Sequence, residues 1–457
     1  MSAQSLNDAT YRAHGGTRPT RVRIVHIGLG NFHRAHQAWF TAHAEDAAEW
    51  GIAAFTGRSP DQAELLAPQD GLYCLVVRDE TIDRVEVVPA VVEVHDGSRL
   101  DRLMQLLADP AVAIITLTVT EAGYLLTAAG DADLAHPAVA ADLIELTEGH
   151  PSGARPTTAL GRLLLGLDAR RRAGGGPLAV VPCDNIPDNA AYIRRGLLSL
   201  AGAVSAPLAA WIAAEVSLVG TSVDRITPRI HQAVPAVADA GWADRSPVVT
   251  EPFADWVLSG AFPSGRPAWE TAGARFVDDL EPWENRKLWL LNGAHSILSF
   301  AGLARGLTTV AEAIADDGCR ALVDAFWDEA VQGLPDGIEH AQYRDALIRR
   351  FANHRIEHRL AQIAGDDTTK VRYRFAAVAE RTLDRGAEPA ASAAAIAVWI
   401  DAHRRGVLPG AAPADPADSQ AMVAAVSPRL AASAPFLRRI DDELTALHHM
   451  TASATTR

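Results

Sequence analysis

Along the first half of the chain, apolar residues gather in short β-branched runs: RVRIVHIG (21–28), GIAAFTG (51–57), AIITLTVT (113–120), LAVVPC (178–183) and VSLVGTSV (216–223). Runs of this length that do not alternate with polar residues predict strands buried on both faces, as in a parallel sheet. Between them lie helical patterns such as HRAHQAWFTAHAEDAAEW (33–50), and the alternation predicts a doubly wound α/β sheet. From about residue 279 the strand pattern fades. Long helical patterns take over in ENRKLWLLNGAHSILSFAGLA, TVAEAIADDGCRALVDAFWDEAV, AQYRDALIRRFANHRIEHRLAQIA and EPAASAAAIAVWIDAHRR, so a second, mainly α-helical domain is expected. GVLPGAAPADPADS (406–419) reads as a surface loop inside it, the first twenty residues as a frayed start, and HHMTASATTR as a mobile tail.

Composition narrows the class. With 457 residues, nearly half of them hydrophobic, the chain can bury large cores in two domains. A net charge of -14 argues against general binding to nucleic acid or an anionic membrane. The start lacks the apolar core of a signal peptide, and AAAIAVWI (393–400), closed by Asp401, falls short of the ~20 residues of a membrane span. Cys74, Cys183 and Cys319 lie far apart with no CxxC, which argues against a disulfide framework or a structural zinc site. No metal is expected, and a cytoplasmic location is.

Candidate chemistry begins at IVHIGLGNFHRAH, which follows the first strand and opens the first helix. Gly28 and Gly30 suit the tight turn and close pyrophosphate approach of a dinucleotide-binding fold, or are simply a structural turn. His33 stands at the third glycine of GxGxxG, so the fingerprint is incomplete. Beyond the second strand, Asp61 offers a carboxylate to the ribose of NAD and Arg58 a guanidinium to the 2'-phosphate of NADP, unless both are solvated loop charges.

A second signal is KLWLLNGAH (287–295). Of 42 lysines and arginines only Lys287 and Lys370 are lysine. Arginine stays protonated, whereas a lysine in apolar surroundings can have its pKa lowered far enough to act as a base. On a regular helix Lys287, His295 and Asn292 fall at about 0°, 80° and 140°, on one side. Singly, each has a plain alternative: a lysine reaching out of a core helix, a packed histidine, an asparagine satisfying backbone.

These motifs together resemble the long-chain mannitol dehydrogenase family of polyol and sugar-acid dehydrogenases. The matches are Lys-x4-Asn-x2-His at Lys287, Asn292 and His295, the loop GLGNFHRAH, TVTEAGY (118–124), PCDNIPDNA (182–190), VDRITP (223–228), EPFADWV (251–257) and the region of DDTTKVRYR (366–374). The resemblance implies a Rossmann-type NAD-binding domain over residues 1–278 and a mainly helical substrate and catalytic domain over 279–457. It implies Lys287 as general base, Asn185 and Asn292 as hydrogen-bond donors to the reacting oxygen, and His295 on a neighbouring hydroxyl. Asp224 and Arg374 would line the substrate pocket, Glu121 would help proton exchange, and Gly28, Gly30, Asn31, Phe32 and Asp61 would hold NAD. Asn185, just past a strand end, is otherwise an Asx-turn or helix cap. Arg372 and Tyr373 stand where the family has proline and glutamine; Arg372 either favours a carboxylate-bearing substrate or is a surface charge. The expected activity is NAD-dependent, metal-independent interconversion of D-mannitol and D-fructose. The alternatives are fructuronate reductase chemistry on D-mannonate and, from another class, a non-catalytic nucleotide and sugar sensor.

Overall fold

A computed structural model describes residues 3–148, 153–230, 232–356 and 358–454. The chain divides into two compact units, Met1–Leu280 and Glu281–Arg457.

The first unit is built on a six-stranded, all-parallel sheet in the order Val91–His95, Gly51–Phe55, Val22–Ile27, Ile114–Leu117, Leu178–Pro182, Val216–Leu218. Numbered within this sheet by sequence, that is 3-2-1-4-5-6, the doubly wound Rossmann order, and its direction reverses between Val22–Ile27 and Ile114–Leu117. Successive side chains serve opposite faces. Val25, Ile27, Phe55, Ile115 and Leu117 pack with the helices Leu100–Ala108 and Ala159–Ala173. Ile24, Ile52, Ala54, Ile114 and Val181 pack with Phe40, Trp50, Trp256 and Trp269. Burial on both faces explains why these strands read as unbroken apolar runs.

The structure corrects several expectations. VSLVGTSV is two strands: Val216–Leu218 ends the main sheet, and Gly220–Asp224 pairs antiparallel with Asp255–Ser259. Both halves are buried, so hydropathy gives no sign of the change of sheet. The helix expected over 33–50 breaks at His36, whose φ of -120° and ψ of -87° leave helical space, and its second part stops at His43. TVAEAIADDGCRALVDAFWDEAV divides at Asp316, and among its described residues the stretch AQYRDALIRRFANHRIEHRLAQIA is helical in His340–Ala352 and Leu360–Ile363 only. From residue 4 the expected frayed start is ordered, while residues 1 and 2 lie outside the described residues: Gln4–Ser5 pairs with Trp242–Ala243, and Leu6 is buried with Leu72, Cys74 and Val76. The tail is helical to Ala454, while residues 455–457 lie outside the described residues.

The second unit is helical. Its central helix, Gly293–Ala304, is buried along Gly293–Gly302 and packs against Val310–Ala315, Asp317–Ala330, Leu360–Ile363 and Ala390–Arg404. A Cβ at Gly293 would lie 2.7 Å from the Phe326 ring, so only glycine allows that contact. No helix among the described residues is long and apolar enough to cross a membrane.

Candidate active site

In the first unit the glycine loop sits where the sheet reverses direction. Gly28 has φ +111°, and a Cβ there would come 2.1 Å from the Thr118 carbonyl oxygen, so glycine is required twice over. The Thr118 hydroxyl donates to the Gly28 carbonyl at 2.9 Å, binding the loops after two adjacent strands. At Gly30 a Cβ would meet only the Gly28 oxygen, 3.6 Å away, leaving that side open to a close-lying group such as a pyrophosphate. Both glycines therefore fit NAD. His33, at the third glycine position, is fully buried and stacks on His26 of the first strand, with ring centroids 3.3 Å apart and planes 8° from parallel. A histidine pair takes the place of the usual glycine contact between helix and strand, which accounts for the broken fingerprint. Burial keeps both imidazoles neutral, lowering His26 to about 3 and His33 well below its usual value.

The Asn31 side-chain oxygen accepts from Arg34 at 2.7 Å, and Phe32 stacks on His36 with centroids 5.0 Å apart. Arg34 is fully buried and also donates to Gln62 and Ser246, so it organises the loop from beneath. Arg58 and Asp61 are both exposed beyond the strand Gly51–Phe55, and Asp61 opens the short helix Asp61–Leu66.

Asn185 is exposed, three residues past the end of the strand Leu178–Pro182. The helix that follows, Asn189–Val204, has Asp188 rather than Asn185 at its N-cap. Neighbouring Asp184 is buried and accepts a short hydrogen bond from the Tyr124 hydroxyl. Desolvation raises the Asp184 carboxyl to about 6 against the opposing hydrogen bonds from Tyr124 and the Val119 amide. Glu121 begins the short turn Glu121–Tyr124 and is exposed. Asp224, nine-tenths buried, closes the strand Gly220–Asp224 opposite Asp255. Arg225 donates to the Ala35 carbonyl at 2.6 Å, tying that strand to the helix after the glycine loop.

In the second unit KLWLLN is not a regular helix. Lys287–Asn292 forms a π-turn between the helices Glu281–Arg286 and Gly293–Ala304. A regular helix would set Lys287 and Asn292 about 140° apart; the wider turn closed by i→i+5 bonds reduces that angle. The Lys-x4-Asn spacing thus matches the π repeat, and Asn292 and His295, three apart, share a face of the helix that follows. Trp289, Leu290 and Leu291 are buried, while Lys287 and Asn292 are half-buried. The His295 ring touches Phe351 and His358, each with centroids at 4.8 Å. Its pKa is held well below the usual value by desolvation first, then by His358, Arg350 and Arg374, so the imidazole is neutral. Its Nε2 is buried without a hydrogen-bond partner among the described residues.

Arg374 comes from a second π-turn, Arg372–Ala376. Its Nη1 donates to the Asn292 carbonyl at 2.9 Å and to Ser296 Oγ at 2.8 Å, bracing the first π-turn. Burial lowers this guanidinium to about 10. Lys370 donates to the carbonyls of Ile363, at 2.8 Å, and Gly365. Arg372 is exposed and donates to the Ala425 carbonyl, and Tyr373 is 52% exposed. Among the described residues no group of three or more His, Cys, Asp or Glu side chains is placed to hold a metal ion. The π-turns, the Tyr124–Asp184 pair and the role of Arg34 were absent from the sequence reading; of these only the Lys-x4-Asn spacing carried a signal.

Comparison with known proteins agrees with this geometry. Residues 22–271 match the model of the mannitol dehydrogenase Rossmann domain and residues 279–435 that of the mannitol dehydrogenase C-terminal domain. The chain is 37% identical over 405 residues to D-arabinitol 4-dehydrogenase of Ralstonia nicotianae (strain ATCC BAA-1114 / GMI1000), covering 84% of each chain. It is 34% identical over 393 residues to D-mannonate oxidoreductase of Escherichia coli (strain K12), covering 83% of this chain and 79% of that one. Among solved structures it is similar to the ternary complex of Pseudomonas fluorescens mannitol 2-dehydrogenase with NAD and D-mannitol, with a TM-score of 0.77, 31% identity and coverage of 99% and 98%. With both domain models matched and relatives above 30% identity over most of its length, the chain belongs to the mannitol dehydrogenase family.

Proposed function

We propose that this protein is an NAD-dependent, metal-independent polyol dehydrogenase that interconverts D-mannitol and D-fructose. The observation that carries the reading is the π-turn that runs from Lys287 to Asn292 directly before neutral His295, whose buried Nε2 has no hydrogen-bond partner among the described residues. Oxidation of a secondary alcohol removes a proton from oxygen and a hydride from carbon. NAD, when bound, takes up the hydride. Lys287 in its neutral form takes the proton, and Asn292 and Asn185 donate hydrogen bonds to the oxygen as negative charge develops on it. His295 receives a neighbouring hydroxyl at Nε2, and Asp224 holds a more distant one. Residues 1–278 bind the cofactor through Gly28, Gly30, Asn31 and Phe32, with Asp61 at the ribose, and residues 279–457 supply the base. The relatives act on small molecules, and a cytoplasmic setting suits a chain with three free, buried cysteines.

A second reading keeps this chemistry and takes a sugar acid. It draws on the Arg350 and Arg374 charges near His295 and on the D-mannonate oxidoreductase relative. Initial rates of NADH formation with D-mannitol, D-arabinitol and D-mannonate, each with NAD and NADP, test the proposal. Turnover should be highest with D-mannitol and NAD, since Asp61 at the ribose would repel a 2'-phosphate. Preference for D-mannonate selects the sugar-acid reading, preference for NADP removes Asp61 from its place, and no turnover with any pair leaves a non-catalytic sensor.

A further inference from the structure

The loops after two adjacent strands of the main sheet are joined by one buried polar contact that the chemistry above does not use. The hydroxyl of Tyr124, 1% exposed, donates a hydrogen bond to the Asp184 carboxylate, which also accepts from the Val119 amide. Tyr124 ends the turn that Glu121 begins, and Asp184 directly precedes Asn185. The carbonyl of Asp184 is held in turn by Asn189 Nδ2 at 3.2 Å, and that amide also reaches the Thr221 carbonyl at 2.8 Å. Each loop ends on a non-glycine residue in left-handed conformation, Leu125 at φ 55° and Asp188 at φ 45°. Such backbone persists only where its surroundings over-determine it, and it gathers at functional sites. A core needing only stability would hold two apolar side chains here more cheaply than a buried carboxylate.

We propose that Tyr124 and Asp184 are positioning residues for catalysis: the ionised Asp184 carboxylate, by binding the Tyr124 hydroxyl and the Val119 amide together, fixes the orientation of Asn185 and of the Glu121 turn. The inference rests on the proposed role of Asn185 as donor to the reacting oxygen. The titratable groups facing Asp184 are Tyr124 and Cys183; burial first and the charge on Asp184 next push both upward, so both are neutral wherever the carboxylate is ionised. Protonation of Asp184, half complete near pH 6, weakens both contacts. The Tyr124 hydroxyl favours the charged carboxylate, so its removal raises the pH at which Asp184 takes up a proton.

The test is the pH dependence of ketose reduction by NADH in the full-length enzyme. In this direction protonated Lys287 is the active form, so its own ionisation lies on the alkaline side. For the wild type, kcat should fall as pH drops through about 6. Tyr124→Phe should move that midpoint upward and lower kcat above pH 8 by roughly 10- to 100-fold, with KM for NADH within about twofold of wild type. Asp184→Asn should abolish the step. A purely structural pair would lower the melting temperature and leave the profile unmoved. A folded Tyr124→Phe enzyme with wild-type kcat and midpoint overturns the proposal. If neither variant folds, the wild type decides: a flat profile between about pH 5 and 7.5 overturns it, and a single step near 6 supports it. A wild type that oxidises no NADH with any ketose removes the dehydrogenase reading and this inference together.

Discussion

Arg374 shows how a candidate substrate residue can also brace the backbone that carries its neighbours. Family resemblance places it against the substrate, whereas here its Nη1 donates to the Asn292 carbonyl and Ser296 Oγ and so holds the turn that presents the reacting groups. Arg374→Met should leave two acceptors without their donor, destabilising the second unit by roughly 1.5–3 kcal/mol. It should lower kcat more than it raises KM for the polyol, because what suffers is the alignment of Asn292 and His295. Steady-state kinetics separate the cases: a large rise in KM with kcat unchanged returns Arg374 to direct substrate binding. The candidates Lys287, Asn292 and His295 could be picked out in sequence because their spacing is local. The partners of Arg374 were not, lying 82 and 78 residues away. Nor did sequence show the hydrogen bond from Arg372 to the Ala425 carbonyl.

At the scale of elements, the π-turn Lys287–Asn292 is the feature on which the alignment depends. Deleting half-buried Leu288 should let the segment relax toward i→i+4 bonding and rotate Lys287 away from Asn292 and His295. The expected result is a loss of about 10²-fold or more in kcat with helix content retained by circular dichroism, since displacements near 1 Å suffice for such losses. Unchanged activity would mean that the π-turn plays no part in catalysis. The parallel strands were readable because burial on both faces makes their residues uniformly apolar. Tyr73–Arg78, Asp83–Val88 and Val91–His95 were not read as strands; in the latter two, charged residues interrupt the apolar run. Breaks such as that at His36 left no mark either: its side chain reaches the Asp255 carbonyl at 3.0 Å, across 219 residues of chain.

At the scale of the molecule, the glycine loop, the buried histidine pair and the braced π-turn serve one account: a polyol oxidised with NAD, in which a lysine amine does what a metal does in other alcohol dehydrogenases. Arginine meets nearly every other demand for positive charge in this chain, so Lys287→Arg asks whether the position needs only charge or also a proton that can leave. The decisive measurement is the rate of NADH formation from D-mannitol and NAD by the wild type and by Lys287→Arg, both after prolonged EDTA treatment. The wild type should retain its rate, and the variant, still folded and still binding NADH, should lose roughly 10² to 10⁴ in kcat. A variant that keeps most of its kcat, or a wild type that loses turnover to EDTA and regains it with Zn²⁺, would contradict the account.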